Sequence, residues 1–266
     1  MSAESSRTFQ AWAGSYDRYR PGYPTELFDE IATRLGVDAR ALVADLGAGT
    51  GLATFEMARR GWRMTAVEPG RGMLDQLRER AEAMGITVVA IEASAEDTGL
   101  PDASFDLATA AQAFHWFDRP RAVAEMARIV RPGGGVALFW NVRRAEASPI
   151  VADYEALMSR YFGSAGIGQY LQHGRDAEAD ATRAAFAASP HFEGLTYSEP
   201  MHETTIDADG LIGMAFTASY VQRLDPTEQE RLRGELRRLL TRHGVADRPF
   251  AIPYRVDLWT ARRSDR

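Results

Sequence analysis

Cysteine is absent from this 266-residue chain. That excludes disulfides, thiolate zinc sites, iron–sulfur clusters and cysteine nucleophiles. Lysine is absent too, so all 31 residues of the Lys plus Arg count are arginine. This removes Schiff-base chemistry, a covalent pyridoxal phosphate anchor and a P-loop lysine. Arginine stays protonated and is a poor general base, so acid–base work falls to His, Asp, Glu or Tyr. The five histidines, His115, His173, His191, His202 and His243, show no His-x-x-x-His spacing, and no metal site is expected. Positive charge is not in excess: the formal net charge is −6 and the sequence pI about 5.5. A general affinity for nucleic acid or an anionic membrane is not expected. No apolar run approaches the ~20 residues that span a bilayer. Residues 1–6 lack the charged and apolar regions of a secretion signal, which makes a cytoplasmic protein the default expectation.

Against these absences stands one informative stretch, Val43-Ala44-Asp45-Leu46-Gly47-Ala48-Gly49-Thr50-Gly51-Leu52. It reads as a short buried strand, a turn with glycine at alternate positions, then a helix. Closely spaced glycines let a ligand lie on the main chain, against the N–H groups that open the helix. A dinucleotide fingerprint would place its third glycine where Leu52 stands. Glu68 ends the next strand, where a carboxylate can accept both hydroxyls of a ribose. Asp45, just before the turn, is acidic, which suits a cofactor carrying an ammonium or sulfonium rather than a pyrophosphate.

The surrounding pattern is α/β. A helix over 26–35, with Thr25 as its cap, precedes strand 42–46, helix 52–60, strand 63–67, helix 71–83, strands 86–91 and 105–110, helix 119–131 and strand 135–141. Short apolar strands alternating with helices predict a doubly wound parallel sheet with helices on both faces. Pro132-Gly133-Gly134-Gly135 is expected to end the helix and turn into the fifth strand. From about 145 the pattern becomes helical (149–162, 177–188, 207–223, 226–243), with one alternating strand at 191–206 and a last strand at 250–262. The expected organisation is an N-terminal lid over 1–24, a cofactor-binding core over 25–145, and a part over 146–266 that completes the sheet with an antiparallel pair of strands. The helical block 207–243 is read as a cap over the cofactor pocket.

Four motifs carry a family resemblance. They are Asp45-Leu46-Gly47-Ala48-Gly49-Thr50-Gly51, Val67-Glu68-Pro69, Leu100-Pro101-Asp102-Ala103-Ser104-Phe105-Asp106 and Ala111-Gln112-Ala113-Phe114-His115-Trp116-Phe117. Over 40–141 the chain resembles the type 11 branch of class I S-adenosylmethionine-dependent methyltransferases, and the last motif resembles its trans-aconitate methyltransferase-like subgroup. The resemblance implies a Rossmann-like sheet of seven strands, S-adenosylmethionine as cofactor and methyl transfer to an O, N or C atom of a small molecule, as in secondary metabolism. It fades after residue 145.

By that resemblance Gly47, Ala48, Gly49 and Gly51 approach the methionine and ribose, and Glu68 with Pro69 holds the ribose. Ser94 and Ala95 meet the adenine, Gln112 lies beside the methionine, and Tyr16 and Arg20 fold over the site. Glu96 has two readings, an adenine-side contact or a charge at a helix start. His115 and Trp116, just past a strand's C-terminal end, are read as an acceptor wall, with His115 as the candidate general base. Trp140 and Asn141 are similarly placed. Met214, Phe216 and Tyr220 are candidates for lining a partly apolar acceptor site, and Arg143 or Arg144 for orienting an acceptor carboxylate. The alternative is a cofactor-binding protein or a cyclase that keeps the fold without methyl transfer.

Overall fold

The computed structural model describes residues 21–163 and 175–264. The chain opens with α1 (Thr25–Leu35), β1 (Leu42–Leu46), α2 (Leu52–Arg59), β2 (Arg63–Val67), α3 (Arg71–Met84), β3 (Val88–Ile91), β4 (Phe105–Ala111), α4 (Arg119–Ile129) and β5 (Val130–Arg143). Then come α5 (Pro149–Phe162), α6 (Arg175–Ala187), β6 (Phe192–Ser198), β7 (Met201–Ile206), α7 (Ala208–Phe216), α8 (Ser219–Gln222), α9 (Pro226–Arg242) and β8 (Phe250–Arg263). The sheet order is β3-β2-β1-β4-β5-β8-β6, with β7 paired to β8 off this path. β1 to β5 are parallel, and β6 and β7 run antiparallel to β8. The doubly wound α/β architecture is the expected one.

Two compact units are present. One comprises 22–141, 175–200 and 256–264; the other comprises 142–163 and 201–255. The core of the first is built from the apolar face of α1 and the inner strands. Leu27, Phe28, Ile31 and Leu35 recur at helical spacing and are all buried. Phe28 meets the rings of Tyr23, Trp62 and Phe139 edge-on, with centroids 6.1–6.3 Å apart. β1 and β4 lie inside the sheet and are buried along nearly their whole length, whereas β3 at the edge is only half-buried. The core of the second unit brings together α5, α7, α9 and the 250–255 part of β8, through Tyr154, Leu211, Leu236, Ile252 and their neighbours.

Three boundaries differ from the sequence reading. The single strand expected over 191–206 is two, β6 and β7, parted at Glu199-Pro200. Proline has no N–H to donate to a ladder, though its carbonyl still accepts from the Val256 N–H at 2.7 Å. This break makes eight strands where seven were expected. The helix expected over 207–223 breaks after Phe216, where the Thr217 hydroxyl bonds back to the Met214 carbonyl and Ala218 is extended. Thr25 is inside α1 rather than its cap, which is Pro24 and contributes no side-chain bond.

The Gly-rich stretch 132–135 does not separate a helix from a strand. Val130 already pairs with Phe105, and Gly135 pairs with Leu107, so the intervening residues form a bulge within β5. Glycine is required there: a Cβ on Gly134 would stand 2.7 Å from the Asp106 carbonyl oxygen.

Replacing Phe28 by alanine should cost about 3–5 kcal/mol, the range for deleting a buried aromatic. A urea unfolding series reads this as a lower midpoint at unchanged slope.

Candidate functional site

The C-terminal ends of the parallel strands carry the candidate residues, the edge where open α/β sheets take ligands. β1 runs into the turn Gly47–Gly51, and the Gly47 and Ala48 N–H groups both donate to the Val67 carbonyl at the end of β2, at 2.8 and 3.1 Å. Gly47, Gly49 and Gly51 all have positive φ, at 68°, 57° and 90°. Their surroundings differ. A Cβ on Gly47 would lie 2.7 Å from Ala113 Cβ, and one on Gly51 2.7 Å from the Phe55 ring. At Gly49 the nearest atom among the described residues would be Met73 Sδ, 4.0 Å away. Packing therefore requires Gly47 and Gly51, and Gly49 is where the turn opens to space.

Glu68 controls that opening. One carboxylate oxygen accepts from the Gly49 N–H at 2.9 Å and the other from the Gly70 N–H at 2.8 Å. Gly70 is the N-cap of α3, so the carboxylate also lies at a helix N-terminus, where negative charge is favoured. Glu68 is buried. Each carboxylate oxygen has two lone pairs, and one on each remains beyond these two bonds. Met73 and Gly70 escaped the sequence reading: nothing in their types marks them until the turn is folded beside α3.

Asp45 is placed otherwise than the sequence reading expected. Its side chain is fully buried and accepts from the hydroxyls of Thr54 at 2.6 Å and Thr109 at 2.8 Å. It ties β1 to α2 and β4. Burial pushes its pKa up to about 6, against the downward pull of the two hydroxyl bonds; the charge of Glu68 adds to the rise.

At the end of β3, Ser94 forms an isolated bridge with Asp97, and Ala95 is buried. Glu96 accepts from the Asp118 N–H at 2.8 Å, and Asp118 is the N-cap of α4. Of its two readings, the helix-start charge is the one this contact matches. Pro69 lies in the turn between β2 and α3.

Gln112, just past β4, has φ +54°, a conformation that non-glycine residues adopt at some cost. Its Nε2 donates to the Asn141 carbonyl at 3.1 Å, and Asn141 Nδ2 donates to the Gly22 carbonyl at 3.0 Å. The 3₁₀ turn Phe114–Trp116 follows. Trp140 is almost completely buried and is a wall only through its N–H, which donates to His115 Nδ1 at 3.1 Å.

An indole N–H can only donate, so Nδ1 of His115 is the accepting nitrogen and Nε2 carries the proton. Burial, and then the nearby charge of Arg119, lowers the pKa of His115 to about 4. The ring is thus neutral near pH 7 and presents a donor. This arrangement matches the wall reading of His115 better than its reading as a general base. Trp116 is 62% exposed and its ring is tilted against His115 at 5.3 Å.

The remaining acceptor candidates belong to the second unit. Met214 is buried and receives the Tyr254 hydroxyl on its sulfur at 3.7 Å. Phe216 has the Arg233 guanidinium 4.2 Å above its ring, and the Tyr220 ring lies 4.7 Å from that of Phe162. Tyr16 and Arg20 lie outside the described residues.

Comparison with known proteins bears on this geometry. Residues 44–138 match the family model of the methyltransferase domain. That segment holds the glycine turn, Glu68, Gln112 and His115. An uncharacterised methyltransferase of Mycobacterium tuberculosis is 43% identical over 140 residues, 53% of this chain and 54% of that protein. The chain thus spans about half the length of the relatives it matches. Among solved structures, a candidate type II methyltransferase from Anaeromyxobacter dehalogenans aligns over 93% of this chain and 100% of its own, at 26% identity and a TM-score of 0.63. A phosphoethanolamine N-methyltransferase of Haemonchus contortus, solved with phosphomonomethylethanolamine and S-adenosylhomocysteine, aligns over 95% of this chain and 57% of its own. At 13% identity and a TM-score of 0.53 it is a likeness of fold alone. The matched domain implies S-adenosylmethionine as the cofactor. The residues present fit it: Gly49 leaves the main chain open to a ligand, and Glu68 is fixed beside it with acceptor capacity to spare.

A raised carboxyl pKa means the folded state holds the Asp45 proton more tightly than the unfolded chain. Its contribution to stability is therefore largest below pH 4 and is lost as pH rises through about 6. Asp45→Asn should remove that slope and be the more stable protein above pH 7, by up to about 2–3 kcal/mol. Urea midpoints of the two proteins at pH 4.5 and 7.5 test this; parallel changes in both would contradict it.

Proposed function

We propose that this chain transfers a methyl group from S-adenosylmethionine to a small-molecule acceptor. The observation that supports this most is the Glu68 carboxylate held by the Gly49 N–H, at the point where the glycine turn opens. The cofactor supplies an electrophilic methyl on a sulfonium, which becomes a neutral thioether when an acceptor atom takes the methyl. The protein's part is position. The turn offers main-chain N–H groups at the start of α2, Glu68 receives ribose hydroxyls, and Gln112 occupies the methionine side. Such a transfer runs on alignment of acceptor and methyl in a site from which water is removed.

His115 enters as a donor. Through Nε2–H it orients an acceptor oxygen, and it draws no proton off the nucleophile. The acceptor atom is therefore one that is nucleophilic without a base, such as a carboxylate oxygen or a neutral amine. The likeness of the Ala111–Phe117 motif to the trans-aconitate methyltransferase-like subgroup also supports a small-molecule acceptor.

Two measurements test the reading. Glu68→Ala should weaken S-adenosylmethionine binding by about 1.5–3 kcal/mol, the range for a hydrogen bond to a charged group, whereas Asp45→Asn should leave it nearly unchanged. Calorimetry on the two folded variants decides between the acids. The pH profile of kcat should show no inflection near the ordinary histidine value of about 6.5. An inflection there that vanishes in His115→Gln would restore His115 as the base.

A further inference from the structure

The second unit holds a cation that the glycine turn and Glu68 do not account for. Arg143 ends β5, and its side chain is largely buried, 19% exposed. Nε donates to Glu155 at 3.0 Å. Among the described residues its two terminal amino groups have no hydrogen-bond partner. The guanidinium lies 5.2 Å from the centre of the Tyr154 ring, and Tyr220 and Tyr254 interact with it electrostatically. The whole group belongs to one unit, and Tyr154, Tyr220 and Tyr254 are part of, or packed against, its hydrophobic core.

A guanidinium has five N–H donors. With the side chain 19% exposed, the terminal amino groups remain within reach of a ligand. Glu155 fixes the plane of the group through Nε and leaves the paired amino groups facing the other way. Burial works against the charged form of Arg143, but a guanidinium keeps its proton in proteins and Glu155 supports the charge, so the cation persists. Burial raises the Tyr154 hydroxyl, which stays a protonated donor. Arg144, its neighbour, is committed to Glu146 at 2.9 Å. The other charges facing the group are Glu155 itself and, beyond it, Glu146 and Arg255.

We propose that Arg143, with Tyr154, Tyr220 and Tyr254 around it, is a binding site for the carboxylate of a small molecule with an apolar body. The paired amino groups match the two oxygens of a carboxylate. One cation, already partly balanced by Glu155, suits a monoanion, and a phosphate dianion would need further positive charge. The apolar and aromatic surroundings suit a hydrophobic body behind the carboxylate. The anion site is argued from the second unit alone and is tested apart from the methyl-transfer reading.

The test is calorimetric titration of the full chain with 3-phenylpropionate and decanoate, with the uncharged 3-phenylpropionamide, and with phenyl phosphate. S-Adenosylhomocysteine is titrated separately. At least one carboxylate should bind ten-fold or more tighter than the amide and tighter than phenyl phosphate. Arg143→Gln should reduce that carboxylate to the level of the amide while retaining S-adenosylhomocysteine binding. Should Arg143→Gln fail to fold, Tyr154→Phe removes only a hydroxyl and should weaken the carboxylate about three- to ten-fold. Equal binding of acid and amide, preference for the phosphate, no binding of either acid, or a carboxylate affinity indifferent to both substitutions would overturn the subsite. Loss of S-adenosylhomocysteine binding by the unaltered protein, with carboxylate binding intact, would overturn the methyl-transfer reading and leave the anion site standing.

Discussion

The contact on which the candidate site depends is the one between the Glu68 carboxylate and the Gly49 N–H. It joins the end of β2 to the middle of the turn that follows β1. The Val67 carbonyl, one residue earlier, receives two more N–H groups of the same turn. Three hydrogen bonds from adjacent residues therefore hold the turn in shape without a ligand. A turn with three positive-φ glycines would otherwise be the most entropically expensive segment of the chain to order. The glycines give the main chain its freedom, and Glu68 with Val67 removes that freedom again. What remains is a fixed concavity, with Gly49 as the residue that leaves it open.

Much of this was legible in the sequence because its signals are local. Strand and helix alternation, the glycine spacing and an acid at the tip of the second strand are read from neighbouring residues. The bonds that hold Asp45 were not legible, for a physical reason. β1 is buried on both faces, so alternation along it cannot tell a side chain aimed at a ligand from one aimed at Thr54 on the next helix and Thr109 far along the chain. His115 was found, but its role depends on which nitrogen Trp140 occupies, a fact that exists only once β5 is placed beside the 114–116 turn. The split of β6 from β7 was hidden because one proline within an alternating stretch does not reveal whether the strand resumes. Arg143 and Arg144 are adjacent and identical in type, and only their partners, Glu155 and Glu146, tell them apart.

The chain's exclusive use of arginine has a counterpart in its structure. The guanidinium groups over Phe55, Tyr154 and Phe216 use a flat cation on an aromatic face, a contact that the compact, strongly hydrated ammonium of lysine makes less well. Arg80 also donates to the Thr50 carbonyl inside the glycine turn, so even that segment is braced by an arginine. Basic residues here take part in packing, and that is how a protein of net negative charge can hold cations in partly buried places.

Gly47 has no room for one additional carbon, because Ala113 and Phe117 press against it. These two residues flank the short turn that bears His115 and Trp116. Whatever displaces the glycine turn must therefore displace the histidine corner as well. A ligand that tightens one then alters the affinity of the other for its own ligand, and thermodynamic linkage makes the effect equal in both directions.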